Sequence, residues 1–364
     1  MTGDGSRHPS EIGYVHLGAF SGSAVSLRAA LAARVQLATL DLQSVTREPR
    51  LLAARAAARS EALFSPGRVH WAKTAAWSRA LEARYERDSS LRARPTIFVQ
   101  SLPAFSQVRV PYVVYTDRVA LEGRAQSERY LPNLSKGWLR REQTFLTRAE
   151  KVFVMGPSTV PFLLEDYRLP PERVEVVGAG PNAPVATPSP STRARRLLFI
   201  GTQWELKGGP DLLTAFSTLR REMEELELTI AGSVPPDALP RGVDAVGRVS
   251  HDEVRELIEH AHIVVIPTYA EAFGISLLEA ISAGVPCIGT DIGNQAHIIA
   301  DAGEIVAPGD PDELAASLRR VIADYPRYRD RALRRAELVR RQWTWPRVAE
   351  ALLAALGSRT DHPS

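Results

Sequence analysis

Along the chain, short runs of β-branched and aromatic residues alternate with longer stretches whose apolar positions recur at helical spacing. In the first half this pattern predicts strands at Tyr14–Leu17, Val35–Leu40, Thr96–Gln100, Tyr112–Tyr115, Lys151–Met155 and Val174–Val177. It predicts helices over Ser23–Ala33, Pro49–Arg59, Trp71–Arg84, Lys136–Arg148 and Ser158–Tyr167. In the second half the expected strands are Arg196–Ile200, Glu227–Ala231, His262–Pro267 and Val285–Thr290. Helix starts are marked there by Ser250 with Glu253, a capping box, and by Asp310 before Pro311, a cap followed by proline at the first helical position. From Pro181 to Arg193 the chain reads PNAPVATPSPSTR, which can hold neither a helix nor a central strand. That stretch is the expected linker between two α/β domains, each a doubly wound parallel sheet. The expected divisions are residues 1–182, 183–342 and 343–364, the last a closing helix and tail.

Length agrees: 364 residues exceed one ordinary core and suit two. Hydrophobic residues make up 45% and charged residues 24%, the balance of a globular chain. No uncharged apolar run approaches the ~18–20 residues that span a bilayer. Met1–Ser10 is polar, without the apolar stretch of a secretory signal, so the expected location is cytoplasmic. Cys287 is the one cysteine and lies in the apolar run Val285–Ile288, so no internal disulfide can form.

The net charge of +3 divides unevenly, basic in the first half and acidic in the second. The basic residues are spread out rather than clustered with aromatics, which argues against nucleic acid as a partner. Arg47, Arg55 and Arg59 share roughly one helical face with Leu52 and Ala56. A peripheral membrane contact is one reading of that face, but its apolar side is mostly alanine, which favours an ordinary amphipathic helix.

The most informative stretch runs from Pro267 to Pro286. A buried strand ends at Pro267, a loop follows, and a helix runs from near Ile275 to Gly284. Gly274 lets a ligand approach the backbone, and the N–H groups of Ile275, Ser276 and Leu277 point out of the helix start, which suits a diphosphate. Glu271 in the loop and Glu279 one turn into the helix flank that terminus, placed to accept hydrogen bonds from hydroxyls. His260 and His262 lack further ligands for a zinc site. Asp310-Pro311-Asp312 is the chain's one D-x-D, and its position at a helix start is explained by capping.

This segment resembles the E-x(7)-E motif of the retaining glycosyltransferases of family 4: Glu271, Phe273, Gly274, Leu277, Leu278, Glu279, Ala280, Gly284 and Pro286 match in place. The resemblance implies that Glu271 contacts a donor sugar, that Glu279 contacts a ribose, and that the backbone from Gly274 to Ser276 contacts the diphosphate. Leu197–Gly201 followed by Lys207-Gly208-Gly209 resembles the family's strand-glycine and K-G element, in which an arginine and a lysine hold the diphosphate. Lys207 matches the lysine, whereas Thr202 stands where the arginine would be. The resemblance places a base-contacting loop at Val246–Val249, including Arg248 and Val249.

It covers the first half thinly. The loop Phe20–Ser23 resembles the family's glycine loop, with Ser21, Gly22 and Ser23 on the acceptor side, but has one glycine where two are usual. Asp117 occupies the place of a histidine near the reacting centre, where a carboxylate could take the acceptor's proton. The stretches Trp138–Glu142 and Val174–Asn182 resemble the path into the linker. The tail from Arg341 through Trp343 and Trp345 to Leu356 resembles one that crosses back to the first domain, its tryptophans serving in packing.

The expected fold is therefore GT-B, with two Rossmann-like domains facing each other across a cleft. The expected function is retaining, metal-independent sugar transfer from a UDP- or GDP-sugar as co-substrate, with no separate cofactor. Catalytic expectations fall on Glu271, Lys207 and Asp117. The acceptor could be a saccharide, a lipid-linked sugar or a small metabolite. Thr202 and Asp117 motivate the alternative of a degenerate GT-B domain that binds a nucleotide or a partner without turnover. A nucleotide-sugar epimerase and a phosphorylase share the fold, but the Lys207 element disfavours the first and chain length the second.

Overall fold

The structure, a computed structural model, describes residues 9–65, 69–126, 130, 133–182, 186–188, 191–232 and 239–357. It divides into two compact units, Met1–Ala179 with Trp345–Ser364, and Gly180–Thr344. Residues 183–185 and 189–190 of the expected linker lie outside the described residues.

The first unit holds β1 (Glu11–His16), β2 (Gln36–Asp41), β3 (Thr96–Val99), β4 (Tyr112–Thr116), β5 (Lys151–Val154) and β6 (Val174–Val176). They form one sheet in the order β2-β1-β3-β4-β5-β6, every pairing parallel. Helices cover both faces of such a sheet, so its central strands are continuously apolar. Accordingly Ile97, Phe98, Val99, Val113, Val114 and Tyr115 are all fully buried. On one face Phe98, Phe145 and Tyr112 interlock, Phe145 standing edge-on to Phe98 at 5.1 Å and stacked on Tyr112 at 5.2 Å. Such ring pairs contribute about 0.5–1.5 kcal/mol each beyond area burial. The last helix, Trp345–Gly357, belongs to this unit. It packs on the helix Ser23–Ala32 and on β4, with Trp345 edge-on to Tyr115 at 6.4 Å.

The second unit holds β7 (Arg196–Ile200), β8 (Glu227–Ala231), β9 (Val243–Gly247), β10 (Ile263–Val265), β11 (Cys287–Thr290) and β12 (Gly303–Val306). Their order is β12-β11-β10-β7-β8-β9, again all parallel. The two edge strands, β9 and β12, go beyond the strands expected from the apolar runs. An edge strand is exposed on one side, so it needs no continuous apolar run, and β9 instead alternates half-buried and exposed positions.

Three expected helices differ from the pattern, each at a proline or a cap. Pro49–Leu51 is a 3-10 turn that passes into an α-helix over Leu52–Phe64. Trp71–Lys73 is another 3-10 turn, and the α-helix Ala75–Glu86 begins only after Thr74, whose side chain accepts the Trp77 N–H. The expected helix Ser158–Tyr167 is a 3-10 turn at Pro157–Thr159 followed by a π-helical turn at Phe162–Asp166. Pro161 has no N–H to continue an α-ladder, and Tyr167 donates five residues back to the Phe162 carbonyl at 3.0 Å. No helix among the described residues is long and apolar enough to cross a membrane.

Candidate active site

In the second unit the chain runs outward from β7 to β8 and β9, then returns to place β10 on the other side of β7. The loops leaving the carboxyl ends of β7 and β10 lie at this reversal, the place where α/β sheets bind ligands. Lys207 comes from the β7 loop and Glu271 from the β10 loop. Their side chains meet at 2.8 Å, Lys207 Nζ to Glu271 Oε2, and both are largely buried.

The two loops are tied together from below. Tyr269 N–H and the Thr268 hydroxyl both donate to the Leu206 carbonyl, at 2.9 and 3.0 Å. The Thr290 hydroxyl at the end of β11 donates to the Thr268 carbonyl. The stem of Lys207 crosses Gly201 so closely that a Cβ there would lie 2.9 Å from Lys207 Cγ. Glu271 Oε1 accepts the N–H of Ala272 at 3.0 Å.

Past Glu271 the chain turns through Gly274, in the left-handed region at φ 105°, into the helix Ile275–Ser282. No side chain caps this end. The leading N–H groups of Ile275, Ser276 and Leu277 therefore point out of the first turn, with the helix dipole behind them. Glu271 Cγ lies 3.9 Å from the point a Gly274 Cβ would occupy, so the ion pair borders this terminus. Phe273 is buried, with its ring 5.9 Å from that of Trp343, which in turn stacks on His297 at 5.2 Å. Phe273 thus anchors the loop by packing.

Glu279 lies one turn inside the helix and is only 7% exposed. Its carboxylate accepts the Asn182 N–H at 3.2 Å, and burial pushes its pKa up to about 7. Thr202 is exposed beside Gly201. The expected base-contacting loop is shorter than the sequence suggests, because β9 continues through Val246 and Gly247 and only Arg248 and Val249 lie beyond it. Both sit at the same carboxyl edge of the sheet, past β8. Among the described residues no hydrogen bond or ion pair joins them to Lys207 or Glu271.

In the first unit, Phe20, Ser21 and Gly22 all have positive φ, at 50°, 52° and 86°, a left-handed turn that delivers the chain into the helix at Ser23. The Ser23 hydroxyl is buried without a hydrogen-bond partner among the described residues. Asp117 follows β4 and lines a cavity of about 120 Å3 together with Lys73, Ser101, Arg118 and Glu142. Lys73 and Glu142 go beyond the sequence reading. The available signal was Glu142 on the apolar stripe of its helix, among Trp138, Phe145 and Leu146, all fully buried.

Asp310 caps its helix by accepting the Glu313 N–H at 2.8 Å. His262 Nδ1 accepts the N–H groups of Arg195 and Arg196, at 3.2 and 3.1 Å. Among the described residues no three His, Cys, Asp or Glu side chains gather as a metal-ligand set.

The strand, the two tied loops and the glycine-capped helix all fall within one stretch of sequence that is shared with known proteins. Residues 194–324 match the family described as Glycosyl transferases group 1. Over 197 residues, half of this chain, the sequence is 32% identical to a glycogen synthase of Mycobacterium tuberculosis, covering 48% of that protein. It is 31% identical over 198 residues to the phosphatidylinositol N-acetylglucosaminyltransferase gpi3 subunit of Schizosaccharomyces pombe, covering 43% of it. The chain thus spans about half the length of the curated relatives it matches. The fold as a whole is similar to that of a sucrose-phosphate synthase from Thermosynechococcus elongatus, with a TM-score of 0.70, 18% identity and coverage of 94% of this chain and 97% of the other. The α/β architecture of paired six-stranded parallel sheets is that of the GT-B structures, and the group 1 match coincides with the second sheet.

Proposed function

We propose that the chain transfers a sugar from a nucleoside-diphosphate sugar to an acceptor hydroxyl, with retention and without a metal ion. The observation that carries this reading is the Lys207–Glu271 pair at the strand reversal, beside the open helix start at Gly274. In transfer, the bond between the anomeric carbon and the diphosphate breaks and its electron pair goes to the departing phosphate oxygen. Lys207 and the N–H groups of Ile275 and Ser276 stabilise that charge. They are already oriented, and a preorganised donor of this kind contributes roughly 3–4 kcal/mol to the transition state. Glu271 accepts hydrogen bonds from the sugar hydroxyls and Glu279 from the ribose. The acceptor oxygen forms the new bond on the face the phosphate leaves, and Asp117 takes its proton.

Two features support the reading beyond geometry. The segment falls inside the group 1 match, and the relatives there bear the names of sugar transferases. The chemistry is also apportioned as needed, with cationic and N–H groups for phosphate and carboxylates for hydroxyls. The test is thermal stabilisation of the purified protein by a panel of nucleoside diphosphates and their sugars, without added metal. A shift for one base, abolished in Glu279→Ala, is the expected result. No shift for any nucleotide would sink the proposal.

A further inference from the structure

The first sheet reverses its strand order between β1 and β3, and the loops following β3 and β4 open at its carboxyl edge. Between them lies the cavity of about 120 Å3, where a single water needs only about 10–15 Å3. Three cationic side chains line it: Lys73, Arg118 and Arg124. Lys73 is half-buried and makes no ion pair among the described residues. Arg118 forms no ion pair there either, its Nη1 donating to the Gln126 amide oxygen at 3.4 Å, although its charge acts on the buried Glu122 carboxyl. The two cations oppose each other: burial and then Arg118 push the Lys73 ammonium pKa down, and Glu142 offsets this only in part.

Glu142 attracts Lys73, but its oxygens are engaged elsewhere and it forms no ion pair with either cation among the described residues. One of its oxygens already accepts from the Ser101 hydroxyl at 2.6 Å and the Ala120 N–H at 3.3 Å, and the other accepts from Tyr167. Two further lining residues hold buried polar atoms without a hydrogen-bond partner among the described residues, the indole N–H of Trp138 and the amide oxygen of Gln100. Trp138 is fully buried. Gln100 takes a left-handed backbone at φ 79°, a strained conformation of the kind that clusters at functional sites. Two half-buried like charges beside a buried, unused donor are stabilised when an anion joins them.

We propose that this cavity binds an oxyanion carried by the acceptor, a phosphoryl group, so that the acceptor is a phosphorylated hydroxyl compound and not a neutral saccharide. Lys73 and Arg118 hold the charge, and Asp117 lines the same cavity. This rests on the transferase reading for the word acceptor, whereas the anion site itself does not.

The experiment is calorimetric titration of the full chain with glucose 6-phosphate, inorganic phosphate and glucose, followed by a nucleoside diphosphate. Glucose 6-phosphate should bind at millimolar concentration and glucose should not. Lys73→Met, which keeps the buried stem, and Arg118→Gln should each weaken glucose 6-phosphate at least tenfold while leaving nucleoside diphosphate binding in place. Lys207→Ala should do the reverse. Unchanged glucose 6-phosphate affinity in both Lys73→Met and Arg118→Gln, with melting temperatures preserved, would overturn the site, as would binding of no anionic probe. Inorganic phosphate binding as tightly as the sugar phosphate would overturn the assignment to an acceptor. Loss of nucleotide binding by the unsubstituted protein would count against the transferase reading alone.

Discussion

Lys207 and Glu271 reach each other at 2.8 Å from loops that leave two different strands, and neither side chain is more than one-fifth exposed. Each neutralises the other. A diphosphate would share the ammonium and a sugar hydroxyl would share the carboxylate, so one contact orients both halves of the proposed donor. Removing one partner leaves the other charge partly desolvated without its counter-ion in this pair.

Glu271→Ala should therefore abolish transfer, by about 10²–10³ in kcat or more, while nucleoside diphosphate affinity stays nearly intact. Lys207→Ala should weaken the diphosphate far more than the bare nucleoside. Each single variant should lower the melting temperature, and the double variant should lower it less than the two combined. Equal loss of nucleotide affinity in Glu271→Ala would reassign that carboxylate, and an additive double variant would mean that the pair is not coupled.

The turns on either side of the pair make different demands on their glycines. Gly208 and Gly274 both have positive φ, but a Cβ at Gly208 would lie 2.0 Å from the Pro267 carbonyl oxygen, whereas one at Gly274 would have Ile298 Cδ1 as its nearest neighbour, at an ordinary contact distance of 3.4 Å. Gly274→Ala should thus cost only the backbone strain, about 1–2 kcal/mol. Gly208→Ala should cost clearly more, because the loop that presents Lys207 must shift away from β10. Chemical denaturation of the two variants ranks them. Equal destabilisation would mean that the Gly208 loop gives way freely.

The central strands and the helix that starts after Gly274 are legible in the sequence because each depends on local pattern: β-branched runs and a glycine before a helix. The edge strands β9 and β12 are harder to read, being short and half-polar. The 3-10 and π turns at 157–166 follow from Pro161, yet their geometry depends on which carbonyl the next N–H finds. The cavity at Asp117 is invisible locally. It joins Lys73 from a 3-10 turn, Ser101 from the end of β3 and Glu142 from a distant helix, and only the sheet order brings them together. Nor does any motif announce that Glu61 accepts the N–H groups of Ala75 and Ala76, capping another helix from outside it.

Glu279 gives the second unit a pH dependence of stability. Burial raises its pKa from 4.5 to about 7, so between those values the native state binds more proton than the unfolded chain. Stability from this group is full below about pH 4.5 and is lost as pH rises through about 7, by up to about 3 kcal/mol. Glu142 shifts in the same direction, so the test is a difference. Glu279→Gln should gain on the unsubstituted protein as pH rises from about 5 to 8 in denaturant unfolding. A constant difference across that range would show that the carboxyl is already ionised at low pH.

His262 works in the opposite sense. Burial, with Arg196, Arg329 and Arg195 nearby, pushes its pKa down to about 4, and its Nδ1 is occupied in accepting two backbone N–H groups. The unfolded chain therefore takes up the proton first. The stability this residue contributes is complete above about pH 6.5 and disappears as pH falls through about 4. Its loss frees the backbone at the start of β7, the strand that leads to Gly201 and Lys207. The His262 ring signals in a proton NMR titration should stay flat from about pH 8 to 5.5 and move only as the second unit begins to unfold. Substitution by Gln, which can still offer an oxygen to the Arg195 and Arg196 N–H groups, should shift the acid limb of the unfolding curve to lower pH. A His262 signal titrating near pH 6.5 in the folded protein would mean that the imidazole can charge in place, and the acid limb would then have to come from another group.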